Sequence, residues 1–367
     1  MINEQVSVVV LSRNRQQYLR RQITYWKNYN IPLIIFDQSP VTLDMIGLNI
    51  PTHIRYFHSN ESFLQRMVAA TEQIQTPYAI FLPDDEFHIV GCLLHCVEFL
   101  EKHHDYASCA GRSVAFQVDT QVCGYTIYEN LRDFKITSEN PFERVQKLAH
   151  PYKFQPIHAV SKTVIWRQVA SFFHSMEGLP PDMFELVFGF TAAYQGKLTV
   201  IPELMNMRSR ENQPVHTFDW DQKKRLPVWL FEGENIDAQL RLYKRMSELE
   251  DAPHSAKNGY AVALSVGIIH FLFNARKSVS TKKPAVAVIS FKEKLKALLP
   301  KSLFYFLKKI KHSACVIAGK NSIKRESLMT VCEKLETEQV KVDFQNVREI
   351  QLLIETFHRL VPTNGRV

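Results

Sequence analysis

Residues 78–87 read Tyr-Ala-Ile-Phe-Leu-Pro-Asp-Asp-Glu-Phe, a short apolar run that stops in three consecutive acids. Residues 78–82 are bulky and do not alternate with polar ones, the pattern of a strand covered on both faces. Asp84, Asp85 and Glu86 fall just beyond its C-terminal end, where open α/β sheets place their ligands. Three adjacent carboxylates repel one another, so a fold gains little from them unless a cation is close. Hard oxygen ligands suit Mg2+ or Mn2+, ions that usually bridge to substrate phosphates. A solvated acidic turn would carry the same letters, so the flanking sequence has to decide.

Upstream, residues 6–11 (VSVVVL) are a β-branched run that predicts a first buried strand. Residues 18–29 follow, with apolar side chains at 19, 23 and 26, at helical spacing. Between them lies Ser12-Arg13-Asn14-Arg15. Asn14 is placed to cap the helix, and a basic strand-to-helix turn with free N–H groups suits an anion. Residues 32–36 (PLIIF) predict a second buried strand, tipped by Asp37, which could accept from a ribose hydroxyl or a base N–H. A third strand is expected at 53–57. An amphipathic helix is expected at 61–74, with Ser59 or Asn60 as its cap and Arg66 on it. Strands alternating with helices predict a parallel sheet whose ligand loops gather at one edge, so Asn14, Asp37, Arg66 and the three acids should converge there.

Downstream, helices are expected at 90–103, 139–150 and 162–173, and a hairpin or meander from 106–118 and 121–128. Residues 154–161 read as a strand. Pro180 and Pro181 suit the entry to a helix that Gly196 ends, with Asp182 in its first turn and Glu185 three residues on along the same face. Residues 198–207 read as a strand pair broken by Pro202, and 208–216 as a polar loop holding Arg208, Arg210 and His216.

In order and spacing, VSVVVLSRNRQQYL, IIFDQS, TPYAIFLPDDEF and PPDMFELVFGFTAAYQGKLTVIP resemble the bacterial family-2-like glycosyltransferases of the GT-A fold. The resemblance implies an α/β, Rossmann-like domain over residues 1–216, transferring a sugar from a nucleotide-diphosphate donor, a UDP-sugar being favoured. By that resemblance Ser12, Arg13 and Asn14 line the nucleotide pocket, Asp37 meets base or ribose, and Arg66 flanks the donor. Asp84 or Asp85 approaches the ribose, and Asp85 or Glu86 holds Mn2+ or Mg2+ on the diphosphate. Pro83 stands where many relatives have Asp, and the motif closes on Glu86, so the register among the three acids stays open. Asp182 would be the base of an inverting transfer, with Glu185 as its competitor. Arg208 and Arg210 could assist the leaving group, and His216 could be a further metal ligand or phosphate contact.

The chemistry asks for the same parts. A leaving diphosphate needs charge neutralisation, and an acceptor hydroxyl of high pKa needs a carboxylate to take its proton. A nucleotidyltransferase acting on a sugar phosphate is a second reading, although no Gly-rich, Lys-bearing signature follows the first strand; pyrophosphate release would identify it. A non-catalytic membrane-associated scaffold is a third, marked by indifference to nucleotide diphosphates.

The chain has 367 residues and a net charge of +8, with 46% hydrophobic and 22% charged residues, which predicts a sizeable core. Its six cysteines show no paired spacing and no signal peptide precedes them, so a cytoplasmic protein with reduced thiols is expected. Residues 276–325 carry fourteen Lys/Arg against one acid, +13, leaving 31 basic against 36 acidic residues, −5, elsewhere. The region 217–367 is expected to be helical. Its basic amphipathic part predicts contact with an anionic membrane surface, on the inner face of the cytoplasmic membrane. That would suit a lipid-linked or growing surface-glycan acceptor in bacterial polysaccharide synthesis. No nucleic-acid motif accompanies the charge. Residues 260–273 are strongly apolar but short for a membrane span, and read as a buried helix.

Overall fold

In the computed structural model the first β-branched run forms β1 (Val6–Ser12), with every residue buried. The structure describes residues 2–44, 47–119, 121–174, 176, 178–212, 237–238, 240–242, 244–245, 259–269, 271 and 326–360. β1 lies between β2 (Leu33–Asp37) and β4 (Tyr78–Phe81), parallel to both, and β3 (Ile54–His58) continues the parallel array beside β2. Ser12 is level with Asp37, so the two strand tips open on the same edge.

The other strands are β5 (Phe87–His88), β6 (Tyr106–Val118), β7 (Val122–Ile127), β8 (Lys135–Ile136), β9 (Val160–Lys162), β10 (Lys197–Ser209) and β11 (Glu326–Ser327). Together they make an 11-stranded sheet ordered β11-β7-β6-β9-β4-β1-β2-β3, with β10 beside β6. β9 is antiparallel to both β4 and β6, and β10 is parallel to β6. Hence β1, β2, β3, β4, β6 and β10 all point the same way: an α/β fold with a mostly parallel sheet.

Among the described residues, helices flanking the sheet are α1 (Gln16–Trp26), α2 (Phe63–Glu72), α3 (Val90–Lys102), α4 (Pro141–Ala149), α5 (Thr163–Phe173), α6 (Pro181–Gln195), α7 (Leu328–Thr337) and α8 (Phe344–Leu360). Leu19, Ile23 and Trp26 of α1 are fully buried. Burial of side chains this size stabilises by roughly 1.5–3 kcal/mol each, so the apolar stripe docks α1 on the sheet.

Several local expectations are corrected. Asn14 does not cap α1: it has a left-handed φ of 57°, and Arg15 takes the cap position without a side-chain cap bond. α2 is capped by Ser62, whose Oγ accepts from Gln65 N, instead of by Ser59 or Asn60. Residues 154–161 are not one strand. Pro156, which has no N–H for a ladder, opens a tight turn over Pro156–His158 and leaves only β9. β10 is continuous across Pro202, where its register against β6 shifts between Val200 and Leu204. The bulge is satisfied from far along the chain: Lys341 N donates to Pro202 O and Leu204 N donates to Lys341 O, each at 2.9 Å. Opposite it, a Cβ on Gly111 would lie 2.4 Å from Glu203 O, so only glycine lets the bulge approach.

The described C-terminal residues are mainly helical, as expected. Residues 259–269 form the buried helix, with Tyr260, Ala263, Leu264 and Ile268 in the core. No helix among the described residues is long and apolar enough to cross a membrane. β11 extends the sheet beyond β7, α7 lies against β7 and α8 against α1. The basic segment 276–325 and His216 lie outside the described residues.

Candidate functional site

The acidic turn leaves β4 at the edge where β1 and β2 also end. Its backbone is gripped by α1: Gln22 Nε2 donates to Asp84 O (3.0 Å) and Glu86 O (2.6 Å), and Arg21 Nη2 donates to Asp85 O (2.8 Å). Gln22 is held in turn by Trp26 Nε1. With the carbonyls fixed, the three carboxylates meet different sets of donors, Asp84 and Asp85 sharing Arg15. Asp84 accepts from Ser12 Oγ (2.7 Å) and Arg15 Nη1 (2.9 Å), and Asp85 from Asn212 Nδ2 (2.9 Å) and, more weakly, Arg15 (3.3 Å). Glu86 accepts from Arg208 Nε at 2.9 Å. Strand register produces that last pair: Met207 of β10 faces Phe87 of β5 in antiparallel order, which brings the next residues, Arg208 and Glu86, side by side.

The three acids are in direct contact with two arginines, Arg15 and Arg208, and Arg210 acts on Glu86 from farther off. Burial, then repulsion from Asp85, pushes the Asp84 carboxyl up to about 6, even though Arg15 and Ser12 pull it down. Burial opposes the charge on Arg15, but Asp84 and Asp85 outweigh it and hold the guanidinium above its ordinary value. The pair is therefore favourable for the cation and incompletely so for the acid. Burial also lifts Glu86 to about 7 against the attraction of Arg208.

Several expected donor contacts have other engagements. Asp37 ends β2 but is fully buried, and its oxygens accept from Ser39 N and Oγ, Gln16 Nε2 and Tyr56 Oη. A ribose would have to displace one of these donors. Arg66 is buried too: it donates to the carbonyls of Ser12, Phe36 and Glu61 and to Gln38, tying the tips of β1 and β2 to α2. Burial lowers it to about 10. Arg13, Asn14 and Arg210 are exposed. Arg15 belongs to the basic turn read as an anion site, whereas Arg21, Gln22 and Asn212 are additional to the expected site residues. For Arg21 and Gln22 the sequence signal is polar side chains on the same buried face of α1 as Leu19, Ile23 and Trp26.

On the other side of Glu86 and Arg208 lies a cavity of about 280 Å³, walled by Tyr128, Tyr152, Gln155, His158 and Asn206 among others. Tyr128 has a left-handed φ of 58°, rare for a bulky residue and common at functional sites, and its ring and hydroxyl both meet Arg208. Asn206 Oδ1 is buried beside the His88 ring and forms no close hydrogen bond among the described residues. Asp182 is exposed at the start of α6. Glu185 stands one bond behind the cavity wall, accepting from Gln155 Nε2 at 2.9 Å, with Tyr152 Oη near its carbonyl at 3.5 Å. Burial, then Asp182, pushes Glu185 up to about 7. His158 is held neutral, burial first and then Arg208 and His88 lowering it to about 3.

The donor set suits a hard divalent cation in one respect. Asp85 Oδ1 and Glu86 Oε2 accept no hydrogen bond among the described residues. Among the described residues no three His, Cys, Asp or Glu side chains converge as an all-protein cage. Mg2+ and Mn2+ bound through one or two carboxylates, with phosphates and waters completing the shell, need no such cage.

No family model matches the chain, and no curated protein sequence does. Among solved structures it is similar to crystal structures of S. aureus TarS residues 1–349. The complex with UDP-GlcNAc is 11% identical, covers 77% of each chain and gives a TM-score of 0.48. The complex with UDP is 12% identical, covers 76% of this chain and 75% of that one, and gives 0.44.

Proposed function

We propose that this chain is a metal-dependent, inverting glycosyltransferase that moves a sugar from a UDP-sugar to a hydroxyl of a surface-glycan or lipid-linked acceptor. One observation carries the reading. Ser12, Arg15, the three acids, Arg208 and Asn212 meet at one sheet edge, and behind Gln155 in the wall of the cavity beside them stands Glu185. The resemblance of residues 1–216 to GT-A enzymes supplies the substrate class.

In this reading the donor diphosphate lies over the acidic turn. Asp85 and Glu86 hold Mn2+ or Mg2+, which when bound supplies positive charge to the leaving group. Arg208, already fixed by Glu86 and Tyr128, and exposed Arg13 and Arg210 add fixed positive charge with little reorganisation. The sugar occupies the cavity beyond Arg208, where Asn206 and Gln155 meet its hydroxyls. Glu185 takes the acceptor proton: a carboxyl near 7 is half-ionised at neutral pH and basic enough to compete for a proton that is leaving. Asp182 beside it keeps that basicity high. Attack from the wall opposite the diphosphate is direct displacement, which inverts the anomeric carbon.

Titration calorimetry of UDP with and without Mn2+ tests the donor half. The wild type should bind in the presence of Mn2+, and Asp85→Ala should lose at least about a hundredfold in affinity, the upper range for changes at a metal site. Equal, metal-independent binding by both would remove the metal role.

A further inference from the structure

We infer that α8 belongs to the donor-side machinery: through Phe357 and His358 it holds Arg21 and Glu211, which position the acidic turn without touching a ligand. The inference rests on the acidic turn being the donor anchor.

Arg21 stands behind the turn with its guanidinium divided between two tasks. Nη2 holds Asp85 O at 2.8 Å, and Nη1 holds Glu211 at 2.9 Å and 3.2 Å. Three rings enclose it, Tyr18 at 4.7 Å, Phe357 at 4.8 Å and Phe87 at 5.0 Å, while its Nε is buried with no acceptor among the described residues. Glu211 also accepts from Ser209 Oγ at 3.1 Å and from His358 Nε2 of α8. The side chains of Arg21 and Glu211 are each 1% exposed. Asn212, next in the chain, then donates to Asp85 Oδ2 and accepts from Tyr18 Oη at 3.1 Å. Asp85 is thus held twice from this cluster, by its carbonyl and by its carboxylate.

Stability alone does not explain such a cluster. A buried ion pair recovers little more than its desolvation cost, and apolar side chains of the same volume would pack as well. A rigid guanidinium fork supplies something they cannot: two fixed directions, one toward Glu211 and one toward the backbone of a ligand-binding turn. Arg21, Glu211 and His358 are positioning residues in this sense, and α8 is the element that holds them in place.

Calorimetry of UDP with Mn2+ on the full chain, with melting temperatures measured alongside, tests this. His358→Ala should weaken binding about tenfold, the loss usual when a residue supporting a metal site is removed, and His358→Gln, which keeps a donor, should stay within about threefold of wild type. Ile350→Ala, a buried α8 change away from the cluster, should lower the melting temperature and leave the Kd unchanged. An unchanged Kd in His358→Ala, or an equal loss in Ile350→Ala, overturns the inference. If His358→Ala fails to fold, Phe357→Leu decides, because it keeps an apolar side chain on α8 and removes the ring over Arg21: a weaker Kd supports the inference and an unchanged one overturns it. A wild type that binds no UDP removes the proposed function and this inference together, an outcome distinct from normal binding by wild type and variants alike.

Discussion

On the bank built from β1, α1 and the acidic turn, polar atoms are committed several times over: Asp84 to Ser12 and Arg15, Asp85 to Asn212 and Arg15, their carbonyls to Gln22 and Arg21. On the facing bank, Tyr128, Tyr152, Gln155, His158 and the start of α6 are joined by few bonds among the described residues, and Glu185 has Gln155 and the Tyr152 hydroxyl beside it. The contrast teaches a division of labour. Fixed charges that need not reorganise suit a ligand of fixed charge, such as a diphosphate. A desolvated, lightly bonded carboxylate suits a proton that arrives and leaves during turnover.

The sharpest way to break this comparison is Glu185→Gln, which keeps size and an acceptor for Gln155 but removes the base. Turnover should fall by about a hundredfold or more, within the usual range for general bases, with the Kd for UDP unchanged. Loss of UDP binding instead would move Glu185 to the donor bank, and retained turnover would shift the base to Asp182. The pH profile sharpens the same point. Burial raises the Glu185 carboxyl to about 7, so the ionised base is scarce below that pH and saturates above it. Accordingly kcat/KM should fall as pH drops below 7, where Glu185 and the donor-side Glu86 both take up protons, and Glu185→Gln should flatten that limb to the share left by Glu86.

Smaller effects test the boundary between the banks. Arg208 belongs to both, pairing with Glu86 and lying over Tyr128. Arg208→Lys keeps the charge and loses the fork, and should lower kcat by about tenfold in steady-state assays while KM for the donor moves less. Tyr128→Phe keeps the ring over the guanidinium and removes one hydroxyl, so a change of only about twofold to threefold in KM is expected, in line with a partly exposed contact.

Much of the fold was legible because each early element repeats one signal. The β-branched run at 6–11, the non-alternating run at 78–82 and the spacing of Leu19, Ile23 and Trp26 give β1, β4 and α1 from local sequence. Pro202 misled because a proline in a strand reads as a break, whereas the freed backbone groups find Lys341, a residue no local window contains. The site divides in the same way. Asp84, Asp85 and Glu86 announce themselves by adjacency. Asn212 and Arg21 do not, since their value comes from partners 127 and 64 residues away. Arg66 shows the converse: a cation on the expected helix is consumed by the carbonyls of Ser12 and Phe36.

The placement of α8 against α1 also sets a timetable. Tyr25 Oη donates to Asn346 across 321 residues, and Asn28 and Tyr29 reach Glu349 over similar spans. During synthesis the first strands and helices leave the ribosome long before α8 exists, and at about 5–20 residues per second they wait on the order of half a minute for it. Through that interval Arg21 has neither Phe357 nor His358 beside it, and a charged side chain bound for the interior stands open to water. The nascent chain therefore carries a sheet whose Arg21–Glu211 cluster is still open, and the cluster closes with the helix made last among those described.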